Sequence, residues 1–273
     1  MVSRFLQLEE LKMGKIISNK QKHRRVNKAM IPSLFTIVNM FFGFLSILAS
    51  MRGEFHLAAM YIIYGALFDS VDGKIARALN STSDFGIQFD SLADIITFCA
   101  APAVFVYMVW ARPLDLYIGG FFAFIPLMMG AIRLAKFNIE AENDQKAGFI
   151  GIPTPLAAMT IVGIYLFFSQ LSQYPFLHWT PHVIQGNGRT VLPFIMLISF
   201  LMISKIPFPK FPPITFIGKE SWKFYLLLVL IISIFYTNGF TLMPISLLII
   251  LGGIIKWTSI ARMEMEYEKK EDV

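Results

Sequence analysis

The sequence predicts an all-α membrane protein, a polytopic bundle of about eight transmembrane helices with both termini cytoplasmic. Composition is the first ground: 56% of residues are hydrophobic and 15% charged, and mean hydropathy is +0.61, values typical of chains dissolved in lipid. Periodicity of apolar stretches is the second. They fall at about 31–50, 55–78, 86–110, 115–137, 154–174, 189–206, 222–237 and 239–257, most near the roughly 20 residues a helix needs to cross hydrocarbon. The third ground is charge: with both ends cytoplasmic, every one of the 24 lysines and arginines except Arg52, Arg112 and Arg189 falls on the cytoplasmic side.

The net charge of +6 is explained by that topology and by attraction to anionic lipid. No aromatic-basic motif accompanies it, so nucleic acid is not an expected partner. Residues 1–30 form a basic segment in which Phe5, Leu8, Leu11 and Ile16 have weak helical spacing ahead of Lys20, Lys22, Arg24, Arg25 and Lys28. It is expected either to lie on the membrane surface or to form a solvated tail, and its acidic and basic residues do not resemble a cleavable signal peptide. Residues 31–213 are expected to form the transmembrane core, and 214–273 an additional helix pair and cytoplasmic tail. The single cysteine, Cys99, excludes an intrachain disulfide and reads as a small core residue. His23 and His56 are isolated, and His178 and His182 flank Pro181 on an outer loop, so zinc is not expected.

In chain order, the first apolar segment carries no charge. The second ends in Asp69-x-x-Asp72-Gly73-x-x-Ala76-Arg77, and the third begins Gly86-x-x-x-Asp90-x-x-x-Asp94. The fourth ends with Arg133, Lys136 and Asn138. Gly148 to Pro155 then reads as a rigid turn that starts the fifth helix. The sixth runs into Ile206-Pro-Phe-Pro-Lys-Phe-Pro-Pro213, whose prolines require an irregular connection. Only Thr237, Asn238 and Gly239 separate the last two segments.

At about 100° per residue, Asp69, Asp72, Gly73 and Ala76 share about a third of a helix circumference, and Gly86, Asp90 and Asp94 make an i, i+4, i+8 stripe. Two antiparallel helices joined near residues 79–85 can therefore aim four carboxylates at one point. Uncompensated at mid-membrane, they would cost on the order of 10 kcal/mol. Oxygen ligands without neighbouring histidine or cysteine suit Mg²⁺ or Mn²⁺, and such ions commonly serve phosphates. Arg77 is placed to hold a phosphate oxygen. Gly73, Ala76 and Gly86 leave room for a ligand or a close backbone. The plainer alternative is a water-filled crevice with the aspartates paired to Lys74 and Arg77. Four carboxylates on two stripes argue against it.

The stretch Asp69 to Asp94 resembles, without gap or substitution, the signature D-x2-D-G-x2-A-R-x8-G-x3-D-x3-D of the CDP-alcohol phosphotransferase family. Asp90-Ser-Leu-Ala-Asp94 continuing to Ala103, Arg133 to Asn138, Gly148 to Pro155 and Ser204 to Pro209 are similar to the branch that makes phosphatidylserine. Cys99, where that branch usually has glycine, and Lys136, where arginine is common, depart from it. The resemblance implies that L-serine attacks CDP-diacylglycerol with release of CMP. It also implies metal ligation by Asp69, Asp72 and Asp90, with Asp94 completing a second ion's site and acting as general base. Gly73, Ala76 and Gly86 would line the cytidine pocket, and a homodimer in the cell inner membrane is implied. Arg133 and Asn138 are candidates for the acceptor site. Glycerol phosphate, inositol phosphate or an archaeal lipid substrate remains as an alternative. An ion or proton transporter fits less well, because the aspartates gather near one face and Arg77 would repel cations.

Overall fold

A computed structural model describes residues 34–78, 84–142, 151–171, 188–204, 206, 208 and 221–271; for 72–78, 84, 140–142, 221–228 and 260–271 it describes backbone alone. The basic N-terminal segment, the loop with His178 and His182, and the predicted turn up to Ile150 lie outside the described residues.

Helices occupy all eight predicted segments, and no strand occurs among the described residues. They are α1 (Leu34–Met51), α2 (Phe55–Ala78), α3 (Asp84–Asp94), α4 (Ala101–Val106), α5 (Leu116–Glu142), α6 (Thr154–Leu171), α7 (Gly188–Ile203), α8 (Ser221–Tyr236) and α9 (Leu242–Glu271). Two wide π turns, Ile95–Ala100 and Tyr107–Ala111, join α3 and α4 and extend them, so Phe85–Ala111 forms one 27-residue rod. Five helical stretches are long and apolar enough to cross a membrane: Leu34–Met51, Phe85–Ala111, Leu116–Ile139, Thr154–Leu171 and Leu242–Ser259. The protein is a helical membrane protein. Phe55–Val71 and Gly188–Ile203 are apolar but shorter. α2 itself continues as helix to Ala78 and carries the charged residues from Asp69 onward.

The burial pattern of α1 is inverted relative to a soluble helix. Thr36, Asn39, Gly43, Ser46, Ala49 and Ser50 are buried, while Ile37, Phe41, Phe44 and Leu48 are exposed. Small and polar residues inside with large apolar residues outside are what a lipid solvent selects, since lipid does not drive apolar side chains inward and small residues let backbones approach. The Ser46 hydroxyl donates to the Ala58 carbonyl of α2 at 2.9 Å. Phe42 stacks on Phe68 with ring centroids 5.4 Å apart. Thr97, in the first π turn, wedges into the crossing: a Cβ at Gly43 would lie 2.5 Å from its hydroxyl, and one at Gly65 would lie 2.6 Å from its methyl.

Pro102 accounts for that π turn. A proline ring collides with the carbonyl four residues back and offers no N–H, so the preceding turn widens. The Ala101 N–H accordingly donates to the Ile96 carbonyl, five residues back. On α5, Gly130 makes room for the buried Cys99, which is a small core residue as expected. Asp115 caps the start of α5, accepting from the Tyr117 N–H at 2.9 Å.

One end of the bundle gathers the three exceptional arginines. Arg52 follows α1, Arg112 follows the second π turn and Arg189 opens α7, where Gly188 sits against the Trp110 backbone and Phe55 packs edge-on against Phe105. At the other end, the turn before α6 docks on the end of α7: the Gly151 N–H donates to Ile206 O at 2.9 Å and the Ile152 N–H to Leu201 O at 3.1 Å. Ile206 and Phe208 are non-helical, as the prolines require, and Phe208 is buried against Gly253 of α9. Asn238 and Gly239, both at positive φ, form the turn between α8 and α9. The Gln170 amide of α6 holds it by donating to Thr237 O at 2.6 Å and Asn238 O at 2.9 Å.

Two glycines at positive φ separate conformation from contact. Gly53 (φ +79°) has open space around it, whereas a Cβ at Gly151 (φ +83°) would collide with the Met202 carbonyl. Gly53→Ala should cost about 1–2 kcal/mol of left-handed strain. Gly151→Ala should cost about 1–3 kcal/mol more. Unfolding midpoints in detergent check this: equal losses would show that the α7 contact contributes nothing.

Candidate metal and substrate site

The site is built from the C-terminal halves of α2 and α3. Asp69 comes from α2, Asp90 and Asp94 from α3, and one carboxylate oxygen of each lies within 4.8 Å of the others. All three are partly buried. A single divalent ion can be reached by the whole group, and its ligands would all be oxygen. Asp94 gives a direct sign of fit: its Oδ1 is buried and has no hydrogen-bond partner. A bound cation would complete that oxygen.

Asp72, Gly73, Ala76 and Arg77 continue α2 as helix, one to two turns beyond Asp69, and their side chains lie outside the described residues. Gly86 lies in the first turn of α3, half-buried, two turns before Asp94 on the same stripe. The structure therefore brings Asp69, Asp90 and Asp94 together, and Asp72 follows Asp69 by three residues in the same helix.

Arg133 enters from α5. It acts electrostatically on Asp94, and its Nε is buried without a hydrogen-bond partner. Asn138, farther along α5, pairs with Ser91: its Nδ2 donates to the Ser91 Oγ at 3.0 Å, and that hydroxyl is 3.3 Å from its Oδ1. Ser91 adjoins Asp90, so this pair ties α5 to the aspartate helix. Asn138 keeps further donor and acceptor capacity. Lys136 on the same turn is exposed.

Sequence reasoning passed over Asn39 and Thr97. Asn39 on α1 is fully buried and faces Asp94 without closing a hydrogen bond to it; both polar atoms of its amide lack a hydrogen-bond partner. Its own carbonyl accepts from the Thr97 hydroxyl at 3.0 Å. The available signal was faint: a lone amide in an uncharged apolar segment, four residues before a glycine.

Fold and site together define a polytopic helical membrane protein with a cluster of three carboxylates that could hold a metal ion. The chain belongs to the CDP-alcohol phosphatidyltransferase family, whose profile matches residues 29–185. Among its relatives is a CDP-diacylglycerol–serine O-phosphatidyltransferase of Helicobacter pylori, 32% identical over 237 residues, which span 84% of this chain and 91% of that one. A protein of the same name from Bacillus subtilis is 35% identical over 181 residues, 66% of this chain and 90% of that one. An archaetidylserine synthase of Methanothermobacter thermautotrophicus is 34% identical over 187 residues, 66% of this chain and 70% of that one.

Binding of Mn²⁺ or Mg²⁺ to the folded state alone should stabilise the protein by about 2.7 kcal/mol at a hundred times Kd. In Asp69→Asn and Asp90→Asn this metal-induced rise in unfolding temperature should shrink or vanish, while the metal-free proteins stay folded because repulsion within the cluster is relieved. A full metal response in both variants would remove the cation assignment.

Proposed function

We propose that this protein is a phosphatidylserine-forming transferase: it moves the phosphatidyl group of CDP-diacylglycerol to the hydroxyl of L-serine and releases CMP. The observation that carries this reading is the convergence of Asp69 of α2 with Asp90 and the unsatisfied Asp94 oxygen of α3, within the family's aspartate signature. The relatives' names support serine as acceptor.

Asp69, Asp72 and Asp90 would hold one Mg²⁺ or Mn²⁺, with Asp94 completing the ligands of a second. Metal held by these residues would supply neutralisation of the diphosphate and of the charge that grows on departing CMP. Arg77, one turn beyond Gly73, holds a phosphate oxygen, while Gly73, Ala76 and Gly86 leave space for cytidine. Asp94 accepts the proton of the serine hydroxyl as that oxygen forms its bond to the lipid-side phosphorus. The bond from phosphorus to the CMP oxygen breaks, and CMP leaves with its electron pair. A zwitterionic acceptor near the bilayer needs both charges paired, because an unpaired buried charge is costly. Arg133, with Nε open beside Asp94, is suited to the serine carboxylate, and Asn138 can add polar contacts.

The apolar segments support eight membrane crossings, and the charge bias supports the aspartates at the cytoplasmic face, where nucleotide is available. The family resemblance supports a homodimer.

The direct test is a panel of radiolabelled alcohols with CDP-diacylglycerol in detergent. L-Serine should give metal-dependent lipid product and CMP; labelling from glycerol phosphate or inositol phosphate instead would reassign the acceptor. Asp94→Asn should retain CDP-diacylglycerol binding and lose turnover by about 10²–10⁴-fold, the usual worth of a positioned base. Equal collapse of nucleotide binding would leave Asp94 as a metal ligand only. Arg133→Ala should raise the serine concentration required, or abolish transfer, with metal binding intact. A fall in CDP-diacylglycerol affinity at unchanged serine dependence would place Arg133 on the diphosphate.

A further inference from the structure

Asn39 is the one fully buried residue among the described ones whose side-chain amide has neither its donor nor its acceptor satisfied. Burying an amide in that state is unfavourable, and an apolar side chain would pack the same place without the penalty. The surrounding structure holds it there firmly. Its carbonyl receives the Thr97 hydroxyl at 3.0 Å, and Thr97 is itself wedged between Gly43 and Gly65. A Cβ added at Gly65 would lie 3.0 Å from the Asn39 Oδ1, so the amide extends across the α1–α2 crossing at a level one turn before Asp69. Beyond it lies Asp94, whose Oδ1 is likewise buried and unpartnered. A buried donor and a buried acceptor, the Asn39 amide and the Asp94 Oδ1, thus face each other, and neither has a hydrogen-bond partner.

We propose that Asn39 is a positioning residue for Asp94: when the carboxylate cluster takes up its divalent ion, the Asn39 Nδ2 donates to the Asp94 carboxylate and fixes its orientation towards the ion. The amide acts through Asp94 and touches neither ion nor substrate. A hydrogen bond to a ligating carboxylate restricts its rotation and places its oxygens before the ion arrives. Such outer partners commonly change metal affinity by about 10–100-fold when removed. The inference rests on the cation site of the proposed function and not on the identity of the acceptor alcohol.

The test uses the full-length protein in detergent, with Mn²⁺ alone as probe, its affinity read from titrated shifts in unfolding temperature and from the electron paramagnetic resonance signal of free Mn²⁺. Asn39→Leu, which keeps the branching at Cγ, should raise the Mn²⁺ Kd about 10–100-fold. The unfolding temperature without metal should stay the same or rise, because a buried unsatisfied amide has been removed. Asn39→Ala serves as second variant should leucine overpack the crossing, with the same loss of affinity expected. In an Asp94→Asn background the Asn39 substitutions should cost no further Mn²⁺ affinity, since the group they act through has been altered. Unchanged Mn²⁺ affinity in both single variants would overturn the proposal. So would a loss of equal size in the Asp94→Asn background, or a drop of many degrees in the metal-free unfolding temperature of both variants, which would mark Asn39 as structural. Wild-type protein that binds no Mn²⁺ would overturn it together with the cation site. Protein that binds Mn²⁺ with this Asn39 dependence but releases no CMP would leave the proposal standing and remove the transferase reading.

Discussion

Holding three carboxylates together inside an apolar helical bundle is the constraint on which the rest of this structure depends. Asp69, Asp90 and Asp94 repel one another and are all partly withdrawn from water, so nothing within the cluster itself favours their approach. Their proximity is imposed from outside. Asp69 is carried by a helix whose apolar part is packed along α1, and Asp90 and Asp94 by a rod whose continuation is buried through Phe98, Phe105 and Trp110. The packed apolar part of the bundle thus holds in place a polar end that would otherwise spread apart.

That division explains the inverted inner faces. Thr36, Asn39, Gly43, Ser46 and Ser50 on α1 let α2 and the aspartate rod come close, and Thr97 fills the space that Gly43 and Gly65 leave. In water such a stripe would contribute little burial energy; between lipid-solvated helices, contact distance and local hydrogen bonds such as Ser46 to Ala58 matter more. Arg133 adds the opposing charge from α5, and Ser91 with Asn138 locks that helix to the cluster's own.

The helices were legible because a membrane crossing is a simple demand on sequence: length and apolarity. The aspartates were legible too, since carboxylates in such a background are costly and their spacing selects one face. Helix α2 joins both signals in one element, an apolar run that continues as helix through Asp69 to Ala78. Asn39 and Thr97 were not legible. A single amide or hydroxyl in an apolar helix has no spacing partner on its own segment, and what matters about it is set by Asp94, 55 positions away from Asn39 in the chain. The docking of Gly151 on the end of α7 was half visible, as a glycine and proline turn without its partner.

The π turn between Asp94 and Pro102 also bears on how this chain should be aligned with others. A wide turn accommodates an extra residue that an α-helix would not, so side chains beyond Ala100 are rotated by about 100° relative to a uniform helix drawn from Asp94. A homologue lacking the proline can run straight α through the same region and still present equivalent faces to its neighbours, provided it is one residue shorter there. A one-residue gap in the middle of an uninterrupted apolar span, ordinarily penalised as an error, is then the correct correspondence, and ungapped comparison would pair Phe105 and Trp110 with residues that face lipid.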